Sequence, residues 1–401
     1  MTNYWDTLWT ATGSGTYTIN SGDTHVVEPR DLWTTRLEKR FQEHAPRVER
    51  VGERDFWFID DKRYMHTGHR AARWTPELFT GRYEDQRPGG MQPDKMLEDS
   101  DLDGVDVNVL FPSVAITLYS LPDPALAWAI FRAYNDWLAE FCSYDTRRLK
   151  GAAVLLLPDD VKAAVAELER CVARGAAAGL IPMLAAPQAT YDNPVYDQLW
   201  EAAQGLDVPL TMHTGGIRPP ELEGGNVAAT SPPPPSSVPL GHGRASGAAL
   251  ARDNVTAMIF GRVFERFPRL RIGVLEMGTG WVPYFMRAMD RQHMVWRGDV
   301  PRPAAFSDGM EPSDFVRRNV FFGYEDDDLG IRFRDYIGVD NLVYANDYPH
   351  PDCVWPRSRQ VLELMTSGCT AEEKAKVAGG NAARIFRLDS VGAATAGAAE
   401  R

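Results

Sequence analysis

Eight short apolar runs of β-type composition, most of them separated by a stretch of helical period, constrain the fold of this chain more than any other feature. They lie at 17–20, 105–111, 150–157, 179–184, 208–213, 270–276, 319–324 and 342–346. Helical spacing falls between them, as with Leu126, Ile130, Trp137 and Phe141 in 123–144, and Val161, Val165, Leu168 and Val172 in 160–174. Further helices are expected at 194–204, 248–267, 281–296 and 371–386. Repeated β then α, with strands of buried type, implies a parallel sheet with right-handed crossovers. Eight such units predict an α/β fold of the (β/α)8 TIM-barrel kind. The rival, an open doubly wound sheet with a dinucleotide site, lacks a GxGxxG after its first strand.

The 401 residues divide on this reading into an N-terminal arm at 1–16, one barrel domain at 17–390 and an Ala/Gly-rich disordered tail at 391–401. Two segments interrupt the barrel. An insertion after strand 1, at about 30–95, carries a hairpin of 55–59 and 62–65 joined at Asp60-Asp61. A Pro/Gly-rich loop after strand 5, at 215–245, includes Pro232 to Pro235 and is extended rather than helical.

Composition narrows the function classes. A net charge of -12 offers no basic footprint for nucleic acid, so a small-molecule substrate is expected. No apolar run nears the length of a membrane span, and 1–15 lacks a cationic region followed by an apolar one. The four cysteines, Cys142, Cys171, Cys353 and Cys369, show neither CxxC spacing nor a disulfide framework, and a cytoplasmic location is expected. Symmetric pairs are the commonest assemblies, which makes a homodimer the default expectation.

The chemistry sits at the strand ends. Asp23 and His25 stand two residues apart, so an extended strand points both to one face. In a barrel, the C-terminal ends of the strands carry the active site. His213, Glu276, Glu325 and Asp347 each close a later run, and convergent acids and imidazoles need a cation to neutralise them. Asp23, His25, His213, Glu276 and Asp347 are the expected metal ligands. Each has a plainer reading: His213 as a core histidine, Asp347 as a helix cap, Glu276 as the cap of the helix that follows. Glu276, Asp347 and His350 are the catalytic candidates, His350 as a partner that orients Asp347. His242, Trp281 and Glu325 are the candidate substrate contacts; His242 reads equally as a surface residue and Glu325 as a solvated helix start.

The stretches Gly-Asp-Thr-His-Val-Val-Glu-Pro at 22–29, Met-His-Thr-Gly-Gly at 212–216, Phe-Glu-Arg-Phe-Pro at 264–268, Glu-Met-Gly-Thr-Gly-Trp-Val-Pro-Tyr at 276–284 and Asn-Asp-Tyr-Pro-His-Pro at 346–351 occur in this order. Together they resemble the amidohydrolase-related family, whose best-known members are similar to aminocarboxymuconate-semialdehyde decarboxylase. The resemblance implies a metal-dependent (β/α)8 barrel; the family includes decarboxylases, hydrolases and hydratases. This chain departs from the decarboxylase pattern at two places, with Asp23 where that pattern has the first histidine of His-x-His and Glu276 where it has a catalytic histidine.

His25, His213 and Asp347 form a two-histidine, one-carboxylate set of the kind that activates dioxygen on iron, and Asp23 and Glu276 could complete a second ion. The chain also resembles a branch of the family turned to oxygenation. The leading expectation is therefore a diiron monooxygenase, with two iron ions and dioxygen, hydroxylating a terpenoid acid or acyl thioester in antibiotic biosynthesis. The alternative is a hydrolase or non-oxidative decarboxylase with one zinc or manganese, acting on a small carboxylate or amide.

Overall fold

The computed structural model describes residues 15–60, 62–66, 81–157, 161–183, 189–215, 242–295, 305–350 and 353–388, with backbone alone at 64–66 and 242–247. Most of the expected arm, the tail and most of the Pro/Gly-rich loop lie outside these residues. The strands are β1 (Asn20–Val26), β2 (Arg47–Val51), β3 (Arg54–Ile59), β4 (Lys62–His66), β5 (Val107–Pro112), β6 (Leu149–Val154), β7 (Ala178–Leu180), β8 (Leu210–His213), β9 (Ile272–Leu275), β10 (Val320–Tyr324) and β11 (Leu342–Tyr344).

Eight of these strands make one parallel sheet in the order β1-β5-β6-β7-β8-β9-β10-β11. Every residue of β1, β5 and β8 is buried, as parallel strands covered on both faces must be. The sheet curls until β11 returns beside β1. There Asp347 N donates to Asp23 O at 3.1 Å and His25 N donates to Tyr348 O at 2.6 Å. Gly22 sits at this seam because a Cβ there would lie 2.3 Å from Val343 Cγ1. The result is the TIM barrel that the alternation of strands and helices predicts, closed at β1 and β11 by these contacts.

The helices dress the outside for identifiable reasons. Helix Pro124–Cys142 begins on Asp123, whose side chain accepts the N–H groups of Ala125 and Leu126, with Pro124 in the first turn. It buries Leu126, Ile130, Phe131, Tyr134, Trp137 and Phe141, each worth about 2 kcal/mol of burial. The expected helix at 248–267 starts earlier and breaks: His242–Phe260 and Val263–Arg266 are separated at Arg262, whose φ is 62°. At 371–386 a π turn, Lys376–Gly380, interrupts the helix. It brings Gly379 so close to β1 that an added Cβ would meet Thr18 O at 2.6 Å.

The insertion after β1 holds more order than expected. The hairpin is present as β3 and β4, and β2 joins it to make a three-stranded antiparallel sheet. A helix, Pro93–Asp103, follows; its buried side is Met96, Asp99, Ser100 and Asp103.

Candidate metal centre

The strand ends meet at one mouth of the barrel. Asp23 and His25 lie on β1, where the pairing with β5 shifts between Ser21 and Thr24. His213 is the last residue of β8, and Glu276 and Glu325 directly follow β9 and β10. Asp347 lies three residues beyond β11. Glu276 and Asp347 adopt positive φ, 56° and 54°, a region that costs a residue with a Cβ on the order of 1 kcal/mol. Such strain persists where the surroundings impose it, and functional sites are where it collects.

The hydrogen-bond partners assign the imidazole tautomers. His25 Nδ1 lies 3.0 Å from Pro112 O and His213 Nδ1 lies 2.7 Å from Thr214 O. Carbonyl oxygens only accept, so each Nδ1 carries a proton, and in the neutral imidazole each Nε2 is left with the lone pair. Those two Nε2 atoms are 3.1 Å apart. Asp23 Oδ2 is 3.2 Å from His213 Nε2 and Asp23 Oδ1 is 3.4 Å from His25 Nε2. Asp347 Oδ1 is 3.4 Å from His25 Nε2, and Glu276 Oε2 is 3.5 Å from His213 Nε2.

Acceptors facing one another across such gaps repel unless a cation lies among them. Atoms held about 2.1 Å from one ion are separated by roughly 3.0 Å in an octahedron and 3.4 Å in a tetrahedron. The observed separations are edges of that size. Asp23 makes the same point: it is fully buried, and neither of its oxygens takes a hydrogen bond. A buried carboxylate left so would cost several kcal/mol. Its surroundings nevertheless favour the ion: burial pushes its carboxyl up, and His213 and His25 together pull it further down, below the usual range. Burial and the charge of His350 lower His25 to about 4, so it is a neutral imidazole at neutral pH. For His213, the Asp23 carboxylate outweighs the effect of burial and the balance is upward.

His350 completes the group. Its Nδ1 is 2.8 Å from Asp347 Oδ1 and its Nε2 is 2.9 Å from Ser113 Oγ. Its ring stacks on His25 with centroids 3.8 Å apart. Ligand atoms of Asp23, His25 and His213 lie within 4.8 Å of one another, as do those of His25, Asp347 and His350, and those of Glu276, Glu325 and Asp347. Glu325 therefore stands among the site carboxylates rather than on a solvated helix start. Trp281 is turned the other way: its indole N–H is shared by Met277 O and Gly278 O, and its ring packs on Phe285 and Phe322. The side chain of His242 lies outside the described residues. Sequence reasoning did not single out Ser113, nor Phe111, whose ring stacks on His213 at 5.7 Å. A polar residue next to Pro112 at a strand end was the available signal for Ser113.

Comparison with known proteins agrees with this architecture. The family model described as Amidohydrolase matches residues 42–388. The gamma-resorcylate decarboxylase of Rhizobium sp. (strain MTP-10005) is 26% identical over 314 residues, which is 74% of this chain and 87% of that protein. Among solved structures, an amidohydrolase from Mycobacterium avium subsp. paratuberculosis superposes with a TM-score of 0.71 at 19% identity, covering 93% of this chain and 100% of that one. A dihydroxybenzoic acid decarboxylase from Polaromonas sp., with bound manganese and the inhibitor 2-nitroresorcinol, has a TM-score of 0.62 at 18% identity over 93% of this chain and 97% of its own.

These relatives correct the expectation of a diiron monooxygenase. The Rhizobium and Polaromonas proteins are decarboxylases, the second holding manganese, and none of these relatives lends support to iron, dioxygen, oxidoreductase chemistry or antibiotic biosynthesis. The physical reason is that two imidazoles and a carboxylate accept several divalent ions, so the ligand set alone does not choose between oxygen activation and Lewis-acid chemistry. By the span of the family match and by its barrel, the chain belongs to the amidohydrolase family, in the group related to aminocarboxymuconate-semialdehyde decarboxylase.

Proposed function

We propose that the chain is a metal-dependent decarboxylase that acts without an external oxidant on a small hydroxylated aromatic carboxylate. The observation that carries this reading is the convergence of the Nε2 atoms of His25 and His213, 3.1 Å apart, on the buried Asp23 carboxylate. Asp23, His25, His213 and Asp347 would hold one divalent ion, manganese or zinc, with Glu276 beside it. When bound, the ion would supply Lewis acidity toward the substrate's oxygens and toward the negative charge of carbon–carbon cleavage.

The remaining work falls to side chains of this chain. The carbon that loses carbon dioxide must gain a proton, and an acid within hydrogen-bond reach supplies it. Glu276 and Asp347 border the same space, and His350 holds Asp347 through Nδ1. Glu276 stands where related decarboxylases carry a histidine, so the proton here would come from a carboxylic acid. The substrate class is supported by the dihydroxybenzoate-type relatives, and 2,6-dihydroxybenzoate is the first compound to try. The test is turnover by the manganese-loaded protein under nitrogen, followed as carbon dioxide release and appearance of the decarboxylated arene. Release at equal rate with and without oxygen is expected; turnover that stops under nitrogen would sink the reading. A homodimer is proposed as the assembly, to be checked by light scattering on the eluting protein.

A further inference from the structure

Glu28 is the penultimate residue of the 22–29 stretch, and the proposed reaction makes no use of it. Its side chain is fully buried. It lies beyond the ligand pair on β1 and reaches the loop that leaves β5. There Glu28 Oε1 accepts the N–H of Val114 at 3.0 Å and the N–H of Ala115 at 2.9 Å, with Oε2 3.1 Å from the first of these. Those donors stand at the entrance to a 3-10 turn, Ala115–Ser120, where N–H groups have no partner within the turn itself. The main chain of Glu28 is fastened too, because its carbonyl accepts the Tyr83 hydroxyl at 2.8 Å.

The loop held in this way touches two imidazoles of the site. Pro112 O accepts from His25 Nδ1 at 3.0 Å. Ser113 Oγ donates to Val26 O at 2.8 Å and lies 2.9 Å from His350 Nε2. A shift of the loop would release His25 from the contact that fixes its tautomer and His350 from the contact opposite Asp347.

We propose that Glu28 is a positioning residue of the metal site: by binding the N–H groups of Val114 and Ala115, it sets the loop whose Pro112 carbonyl directs His25 Nε2 inward and whose Ser113 hydroxyl seats His350 against Asp347. The inference rests on the metal-dependent reading. Partners of metal ligands typically affect metal affinity or activity by 10- to 100-fold. Glu28 acts one contact further out, through backbone, and the lower part of that range is expected.

The test uses the full chain, freed of metal and titrated with Mn2+ alone in a calorimeter, alongside turnover of 2,6-dihydroxybenzoate. Glu28→Gln keeps the volume but turns an amide donor toward the N–H groups of the loop. Its Mn2+ affinity is expected to fall about tenfold and kcat by a similar factor, with KM moving less than about twofold. Ser113→Ala leaves the bonds of Glu28 intact and removes the hydroxyl that faces His350 and donates to Val26 O; its kcat should drop several-fold at unchanged Mn2+ affinity. A folded Glu28→Gln variant with the affinity and kcat of the parent overturns the inference. If that variant does not fold, Ser113→Ala decides, and unchanged turnover overturns it as well. Failure of the parent itself to take up Mn2+ is the separate result that removes the metal reading.

Discussion

Two buried polar clusters flank the loop after β11, and both are built around buried aspartates, to opposite ends. Behind the loop, Asp103 accepts from Ser358 N at 2.8 Å, from Ser358 Oγ at 2.5 Å and from Asn346 Nδ2 at 3.4 Å. Asp99 is met by the Arg87 guanidinium and the Tyr348 hydroxyl, and Asn346 Oδ1 takes Ser21 Oγ, Thr24 Oγ1 and Tyr348 N. In front of it, Asp23 faces the Nε2 atoms of His25 and His213 and takes no hydrogen bond. A buried carboxylate supplied with donors is a structural joint; one aimed at other acceptors is a place for a cation. The first cluster fixes the seam between β1 and β11, and the second uses that rigidity to hold ligand atoms at coordination distances.

The largest expected difference between the clusters is in metal and turnover. Changing His213→Ala should lower Mn2+ affinity and kcat by at least about 10^3-fold while the metal-free protein still unfolds in one cooperative transition. A midpoint that collapses with metal binding retained would reverse the roles assigned to the clusters. Asp103→Ala should do the opposite, costing about 3 kcal/mol in urea unfolding because Ser358 and Asn346 are left without their acceptor, with Mn2+ affinity changed less than threefold.

Chelation probes the front cluster alone. Moving from Mn2+ at about 100 times its Kd to excess chelator should lower stability by about 2.7 kcal/mol in the parent and by nothing measurable in His213→Ala. The smallest effect is a pH slope. Burial, against its backbone hydrogen bonds, raises the Glu28 carboxyl to about 7. A folded-state value above the unfolded one, about 4.5, means that folding takes up a proton between the two. The stability it contributes is complete below the unfolded value and is lost as pH rises through 7. Between pH 5 and 7 the parent should therefore lose about 2 kcal/mol relative to Glu28→Gln, read from paired urea midpoints. Parallel profiles would show that Glu28 is not titrating in this window.

The parts of the molecule differ in how legible they were. The barrel strands are apolar throughout because both faces are covered, so 208–213 and 270–276 stand out from composition alone. Helix Pro93–Asp103 does not, because three of its four buried residues are Asp99, Ser100 and Asp103, and an apolar period cannot reveal a polar buried face. Strand β2, with the sequence Arg-Val-Glu-Arg-Val, likewise reads as irregular until its pairing with β3 is seen. Glu325 looked solvated from its acidic neighbours, and only the curvature of the sheet turns it in beside Glu276 and Asp347.

By itself the sequence determined the number of barrel strands, their order and the residue types at their ends, since burial dictates apolar runs and a barrel confines polar residues to their termini. Only the tertiary structure decided which of those residues meet. Asp23 and His213 are far apart in the chain, and their 3.2 Å approach depends on the closure of β11 on β1 and on carbonyls that fix two tautomers. It also decided that Glu28, near the end of the most legible motif, faces a loop and not the ligand cluster, because side-chain direction after a strand ends is set by the chain packed against it.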